Sequence, residues 1–325
     1  MDTAQRYRLF AETEARGNSP RYEQWCLGIA ETPELLALIE QLPEPKRQPN
    51  LVLGATRYVG VPDSEFPEFE RWLIAHWDTV REVASARNTQ TNEAGRTAVL
   101  LPVLAQLPGP LSLIEVGASA GLCLYPDRYS YHYDDRPALD PQDGPSPVAL
   151  TCTTSGNPLV PEQLPSVLHR AGVDLNPLDV TDSEAMHWLE CLVWPGRPER
   201  LDRLRAAIDI AQQDPPRLVA GDINAEITDL VQAAPRDTTV VVFGSAVLAY
   251  LDAEARAAFE ETVRGLPCHW ISNEGAHVIR TVADQLPEPL TDRRGQFVVA
   301  LDGRPLAYAG PHGQTLDWFA ADIPA

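Results

Sequence analysis

From Leu111 onward the chain alternates short apolar runs with longer amphipathic segments, an order that few folds accommodate. "LSLIEVGA", "HRAGVDLNP", "RLVAGD", "TTVVVFGS" and "CHWISNEG" have the length and β-branched content of buried strands. "SEAMHWLECLVW", "RPERLDRLRAAIDIAQQ", "INAEITDLVQAA" and "DAEARAAFEETVRGL" carry apolar residues at helical spacing between them. Strands alternating with helices predict a mostly parallel sheet with helices on both faces. "QFVVALDGRPLAYAGPHG" reads as a hairpin turning at Asp302-Gly303, which predicts an antiparallel edge at the C-terminus. "YSYHYDD" and "SPVALTCTT" read as extended segments between proline-rich turns. "GLCLYPDRY" starts like a helix that Pro126 ends early.

Residues 1–107 show no strand alternation. "TAQRYRLFAETEA", "RYEQWCLGIA", "SEFPEFERWLIAHWDTVREVASAR" (with Ser64 as N-cap) and "TNEAGRTAVLLPVLAQL" all read as helices. The expected organisation is a helical lobe over 1–107 and an α/β domain over 108–325, with a strand insertion at about 129–165. A net charge of −20 argues against a protein that tracks nucleic-acid phosphates, which needs an excess of Lys and Arg. No apolar run is long enough to span a membrane. The five cysteines form no C-x-x-C pair and no leader pattern is read at the start, so reduced thiols and a cytoplasmic location are expected.

Gly117-Ala118-Ser119-Ala120-Gly121 has two readings. As G-x-S-x-G it is a nucleophile elbow with Ser119 as nucleophile, and Asp284 or Asp302 with His312 supplies an acid and a histidine in the required order. Against this, the preceding 110 residues look helical and contain no His-Gly pair for an oxyanion hole. As Glu115-x-Gly117-x-Ser119-x-Gly121 it is a turn that lets a nucleotide cofactor approach the backbone. That reading requires matching features at the following strand ends, where open α/β sheets bind ligands. They are found in order: Asp174 (with Leu175) for the ribose hydroxyls, Asp222 for an adenine amino group with Ile223 against the ring, and Gly244-Ser245 for the reacting end of the ligand.

"LIEVGASAGL", "GVDLNPLDV", "LVAGD" and "VVFGSAVLAYLDAEARAAF" resemble, in order, the first four motifs of class I S-adenosylmethionine-dependent methyltransferases. "TNEAGR", "EVGASAGL", "DRYSY", "DLNPLDV" and "VVFGSAVLAYL" are similar to an uncharacterised bacterial group, domain-of-unknown-function family twenty-three thirty-two, across about residues 20–320. The methyltransferase resemblance implies a Rossmann-like class I fold, S-adenosylmethionine as cofactor and a small-molecule acceptor. It implies that Glu115 meets the cofactor's amino group and Ser119 its methionine portion. Three departures stand out. Serine occupies a usual glycine position at 119. Asp174 stands 53 positions after Gly121, which leaves Asp127 as the competing ribose acid. No N/D-P-P-Y/F motif follows the fourth strand.

"TQTNEAGR" precedes the first strand, and a helix there would put Asn92 and Arg96 on one face. Both are candidates for substrate binding, with Arg96 able to clamp a carboxylate. Glu274 in "SNEG" is the candidate general base, with His277 near it. His132, Trp188, Trp194 and Trp270 read as packed residues. A methyltransferase acting on a small molecule is the leading expectation. A non-catalytic nucleotide- or partner-binding protein on the same fold is the alternative, and the Ser119 hydrolase is the third.

Overall fold

The computed structural model describes residues 1–90, 92–287 and 295–321. The chain forms two compact units: Met1–Thr91 with Thr181–Arg205, and Asn92–Val180 with Ala206–Ala325. The first is helical. It contains α1 (Thr3–Phe10), α2 (Pro20–Glu31), α3 (Pro33–Ile39), α4 (Pro49–Val59) and α5 (Phe66–Ala86); α6 (Thr97–Leu104) belongs to the second unit, and α7 (Ser183–Leu192) returns to the first. Prolines open α2, α3 and α4 where a missing N–H costs nothing. Ser19 caps α2 by accepting from Tyr22 N–H. The core is aromatic, with Trp25 stacked on Phe69 at 4.1 Å and Trp188 fully buried. Ser64 is not the cap of α5. Glu65 holds that position, while the Ser64 carbonyl accepts the indole N–H of Trp25 at 3.0 Å.

The second unit is built on a ten-stranded sheet among the described residues: β1 (Leu111–Val116), β2 (Ser130–Tyr133), β3 (Ala149–Gly156), β4 (Val167–Asp174), β5 (Arg217–Ala220), β6 (Thr239–Ser245), β7 (His269–Gly275), β8 (Phe297–Leu301), β9 (Arg304–Ala309) and β10 (Thr315–Trp318). The spatial order is β2-β3-β10-β9-β8-β7-β6-β1-β4-β5. Strands β5, β4, β1, β6 and β7 are parallel neighbours, and the order of addition reverses at β1. The expected hairpin is present. Asp302 (φ 51°) and Gly303 (φ 78°) form its two-residue turn, and the left-handed pair matches the twist of the flanking strands.

Two expectations are corrected. The antiparallel hairpin is interior, because β10 pairs with β9 and the inserted β3 and β2 extend the sheet beyond it. The division falls at residue 91 rather than 107, because α6 ("TAVLLPVL") is buried on every side and packs on β3, β7 and β8. Helices α9 (Ile223–Ala233) and α10 (Ala253–Gly265) cover one face, burying Ile114, Val116, Val173, Val242 and Trp270. Helix α8 (Pro198–Gln213) spans the division, and α11 (Arg280–Ala283) is a single turn. Among the described residues no helix is long and apolar enough to cross a membrane.

Candidate functional site

The parallel strands deliver their chemistry to one edge. Asp174, Glu115, Ser245 and the pair Asn273-Glu274 stand at the carboxyl ends of β4, β1, β6 and β7. The strand order reverses at β1, and such a switch point is where open α/β sheets form a crevice. The turn after β1 has three left-handed residues, Gly117 (φ 68°), Ser119 (φ 49°) and Gly121 (φ 71°). Its N–H groups are all taken within the protein. Gly117 and Ala118 donate to the Val173 carbonyl, and Gly121 donates to that of Ala118. Ser119 N–H donates to Asp174 Oδ2 at 2.8 Å, and Ala120 N–H to Asn92 Oδ1 at 2.9 Å. Asn92 Nδ2 in turn donates to Ser119 Oγ at 2.5 Å.

The structure therefore brings Asn92, Ser119 and Asp174 together, as braces of the turn itself. The other oxygen of Asp174 accepts Asn176 N–H at 2.8 Å. Asp127, the competing acid, is held elsewhere: it takes Arg170 Nη2 at 2.7 Å, while Arg170 also donates to the Leu124 carbonyl and lies over the Tyr125 ring. Only Asp174 stands at the glycine turn. The turn leads into a single 3₁₀ turn, Leu122–Leu124.

A buried polar cluster lies at the ends of β1, β6 and β7. Glu115 is 6% exposed, and its Oε2 has no partner. Burial pushes its carboxyl well above the ordinary range, against the nearby charge of Arg96. Arg96, itself buried, donates from Nε to the Pro311 carbonyl (3.0 Å) and from Nη1 to the Ser245 carbonyl (2.9 Å), with its guanidinium 5.7 Å from the Phe297 ring centre. Asn92 and Arg96 do not share a helical face. Helical geometry begins only with the 3₁₀ turn Ala94–Arg96, so Asn92 reaches the glycine turn and Arg96 the end of β6. Asn273 Nδ2 donates to Ser245 Oγ at 2.9 Å, leaving Oδ1 without a partner. Glu274 Oε1 accepts the N–H groups of Val247 (2.9 Å) and Leu248 (3.0 Å), while Oε2 has none. Burial raises the Glu274 carboxyl, opposed by those backbone bonds. Cys123 donates to the Glu93 carbonyl, and burial pushes its thiol up.

Several candidates have other surroundings. His277 is exposed whereas Glu274 is sealed in, so the two do not form an acid–base pair. Asp222 caps α9 by accepting Asn224 N–H, and Ile223 lies in the core among Val173 and Val242 rather than facing a ligand. The close approaches that require glycine at 117 and 244 are internal. A Cβ at Gly117 would stand 2.4 Å from Val247 Cγ2, and one at Gly244 would stand 2.7 Å from Val116 Cγ2 and 3.0 Å from Val247 Cγ1. The hydrolase constellation does not assemble. Asp302 pairs with His269 at the amino end of β7, Asp284 with Arg280, and His312 lies 3.9 Å from Glu93.

Sequence reasoning missed Val247, Asn273, Cys123 and Glu93. Asn273 had a usable signal, a polar residue beside Glu274 at a strand end; Val247 had none. Leu175 and Tyr250 follow β4 and β6 with 75% and 87% exposure, placing apolar surface at the same edge. A separate cleft of about 450 Å³, lined by Leu107, Pro110, Leu111, Leu164 and Leu168, lies at the opposite ends of β1 and β4.

Fold and site define an α/β protein with a parallel sheet core and a buried, acceptor-rich cluster at the switch point. Over residues 4–318 the chain matches the family described as "Uncharacterized protein conserved in bacteria (DUF2332)", and it belongs to that family. No curated protein matches it.

Proposed function

We propose that this is a Rossmann-like, class I S-adenosylmethionine-dependent methyltransferase acting on a small molecule. One observation carries the reading: the buried groups without partners at the carboxyl edge, Glu115 Oε2, Asn273 Oδ1 and Glu274 Oε2, are all acceptors. The glycine turn offers no free N–H to hold a phosphate. A ligand suited to this edge brings donors and positive charge, as the ammonium and sulfonium of S-adenosylmethionine do. Glu115 fits the ammonium, and the exposed Leu175 beside Asp174 suits the adenosine end. The cofactor supplies an activated methyl group. The chain's part is to align the acceptor near Ser245 and exclude water. Five free cysteines suit a reducing cytoplasm.

A second reading, binding without catalysis, draws on Glu274. Its Oε1 is tied to two backbone N–H groups and the residue is 2% exposed, which suits a structural acid better than a mobile base. Titration calorimetry with S-adenosylhomocysteine tests the site. Binding is expected, and Glu115→Gln should weaken it about 10-fold or more, as loss of a charged hydrogen bond of about 1.5–3 kcal/mol implies. No heat at millimolar ligand refutes the proposal. Binding without methyl transfer across a broad acceptor panel favours the second reading.

A further inference from the structure

Val247 stands in the notch between the ends of β1 and β6. Its side chain fills the space above both Gly117 and Gly244, which is the crevice that the reversal of strand order creates. The segment that carries it is held in an unfavourable conformation. Ala246 has φ 57°, in the left-handed region that a Cβ disfavours. Two attachments hold it there: Ala246 N–H donates to the Asn273 carbonyl, and the buried Glu274 Oε1 accepts the N–H groups of Val247 and Leu248. Ser245 and Val247 are half-buried and Leu248 is fully buried, so the segment is packed in place.

We infer that Val247 is a gate over the ligand crevice, and that Glu274 is a positioning residue that latches it shut. In this state the gate seals the notch. Ligand entry requires Val247 to leave Gly117 and Gly244, which releases Ala246 from the left-handed region and breaks two hydrogen bonds to Glu274. The stored strain favours opening and the latch opposes it. A buried acid whose Oε1 is committed to two backbone N–H groups has an evident task in this arrangement.

The gate itself is tested without ligand, by hydrogen exchange of the 245–250 segment in the full chain. Ala246→Gly removes the strain and should slow exchange about 5- to 30-fold, the factor matching a left-handed penalty of about 1–2 kcal/mol. Glu274→Ala should speed exchange at least about 10-fold, and Glu274→Gln, which keeps an acceptor, should restore most of the protection. Equal exchange in wild type and Ala246→Gly, or no rescue by Gln, overturns the inference. The ligand arm rests on the proposed function: Val247→Ala should raise the association rate of S-adenosylhomocysteine several-fold, and an unchanged or slower rate overturns the gate. Absence of S-adenosylhomocysteine binding in every variant counts against the proposed function alone, because the exchange experiment still decides the gate.

Discussion

Asp174→Ala should destabilise the sheet unit, and the size of the effect follows from what the carboxylate holds. Its Oδ2 accepts the N–H of Ser119, a residue only 3% exposed, and its Oδ1 accepts that of the exposed Asn176. Removing the carboxylate leaves the Ser119 N–H buried without a partner, at a cost of about 1–3 kcal/mol. The Asn176 N–H turns to water, so its loss adds only about 0.5–1 kcal/mol. The sum, about 1.5–4 kcal/mol, corresponds to roughly 3–16 °C in Tm for a domain of this size. Asp174→Asn keeps one acceptor and should lie between wild type and Ala. Asp222→Ala is the matched control; it loses only a helix cap, worth about 1 kcal/mol. Denaturant unfolding followed by circular dichroism measures all three. A ribose-binding acid on an otherwise complete scaffold would leave stability unchanged. Asp174→Ala within about 0.5 kcal/mol of wild type would therefore refute the bracing argument.

Two further predictions concern single groups. A fluorophosphonate should leave Ser119 unlabelled, because its hydroxyl is bonded by Asn92 and no histidine among the described residues hydrogen-bonds it; a Ser119 adduct in the peptide map would restore the hydrolase reading. Glu115→Gln should stabilise the protein increasingly as pH rises. The folded carboxyl titrates above its ordinary 4.5, so wild-type stability is full below that value and is lost as pH rises through the raised one, whereas Gln does not titrate. Denaturation midpoints of the two proteins that stay parallel between about pH 5 and pH 8 would contradict a carboxyl raised by burial at the end of β1.

Much of this architecture is legible in residues that act locally. The apolar runs ending at Asp174, Ser245 and Gly275 are strands because alternation with amphipathic segments leaves them little else. Asp302-Gly303 announces its turn because only a left-handed pair closes a two-residue hairpin. Asn92, Ser119 and Asp174 are also recognisable as one site, since strand ends and glycine turns converge at a switch point. What they do there was hidden. Whether a carboxylate faces a ribose or an amide depends on the direction of Ser119 N–H, which its φ of 49° sets and which no spacing encodes. The pairing of β3 with β10 joins residues more than 150 positions apart, and nothing local in either strand specifies it. Val247 reads as one more apolar residue after a strand. Its role follows only from the absence of side chains on two glycines that the fold brings together.

The missing helix after the glycine turn ties these features together. In a dinucleotide site the turn opens a helix, whose free N–H groups and dipole attract phosphate. Here Gly121 leads into one 3₁₀ turn, and the chain then leaves to form β2 and β3 at the far side of the sheet. With no helix N-terminus behind it, the turn must satisfy its own N–H groups, and Asn92 and Asp174 do so. The edge that results is short of donors. The buried Arg96 donates to the carbonyls of Pro311 and Ser245, and buried oxygens of Glu115, Asn273 and Glu274 remain open. On the proposed reading, a ligand carrying ammonium or sulfonium charge suits such an edge better than an anion does. The insertion that widens the sheet thus also replaces the helix N-terminus at its switch point with a turn braced by side chains.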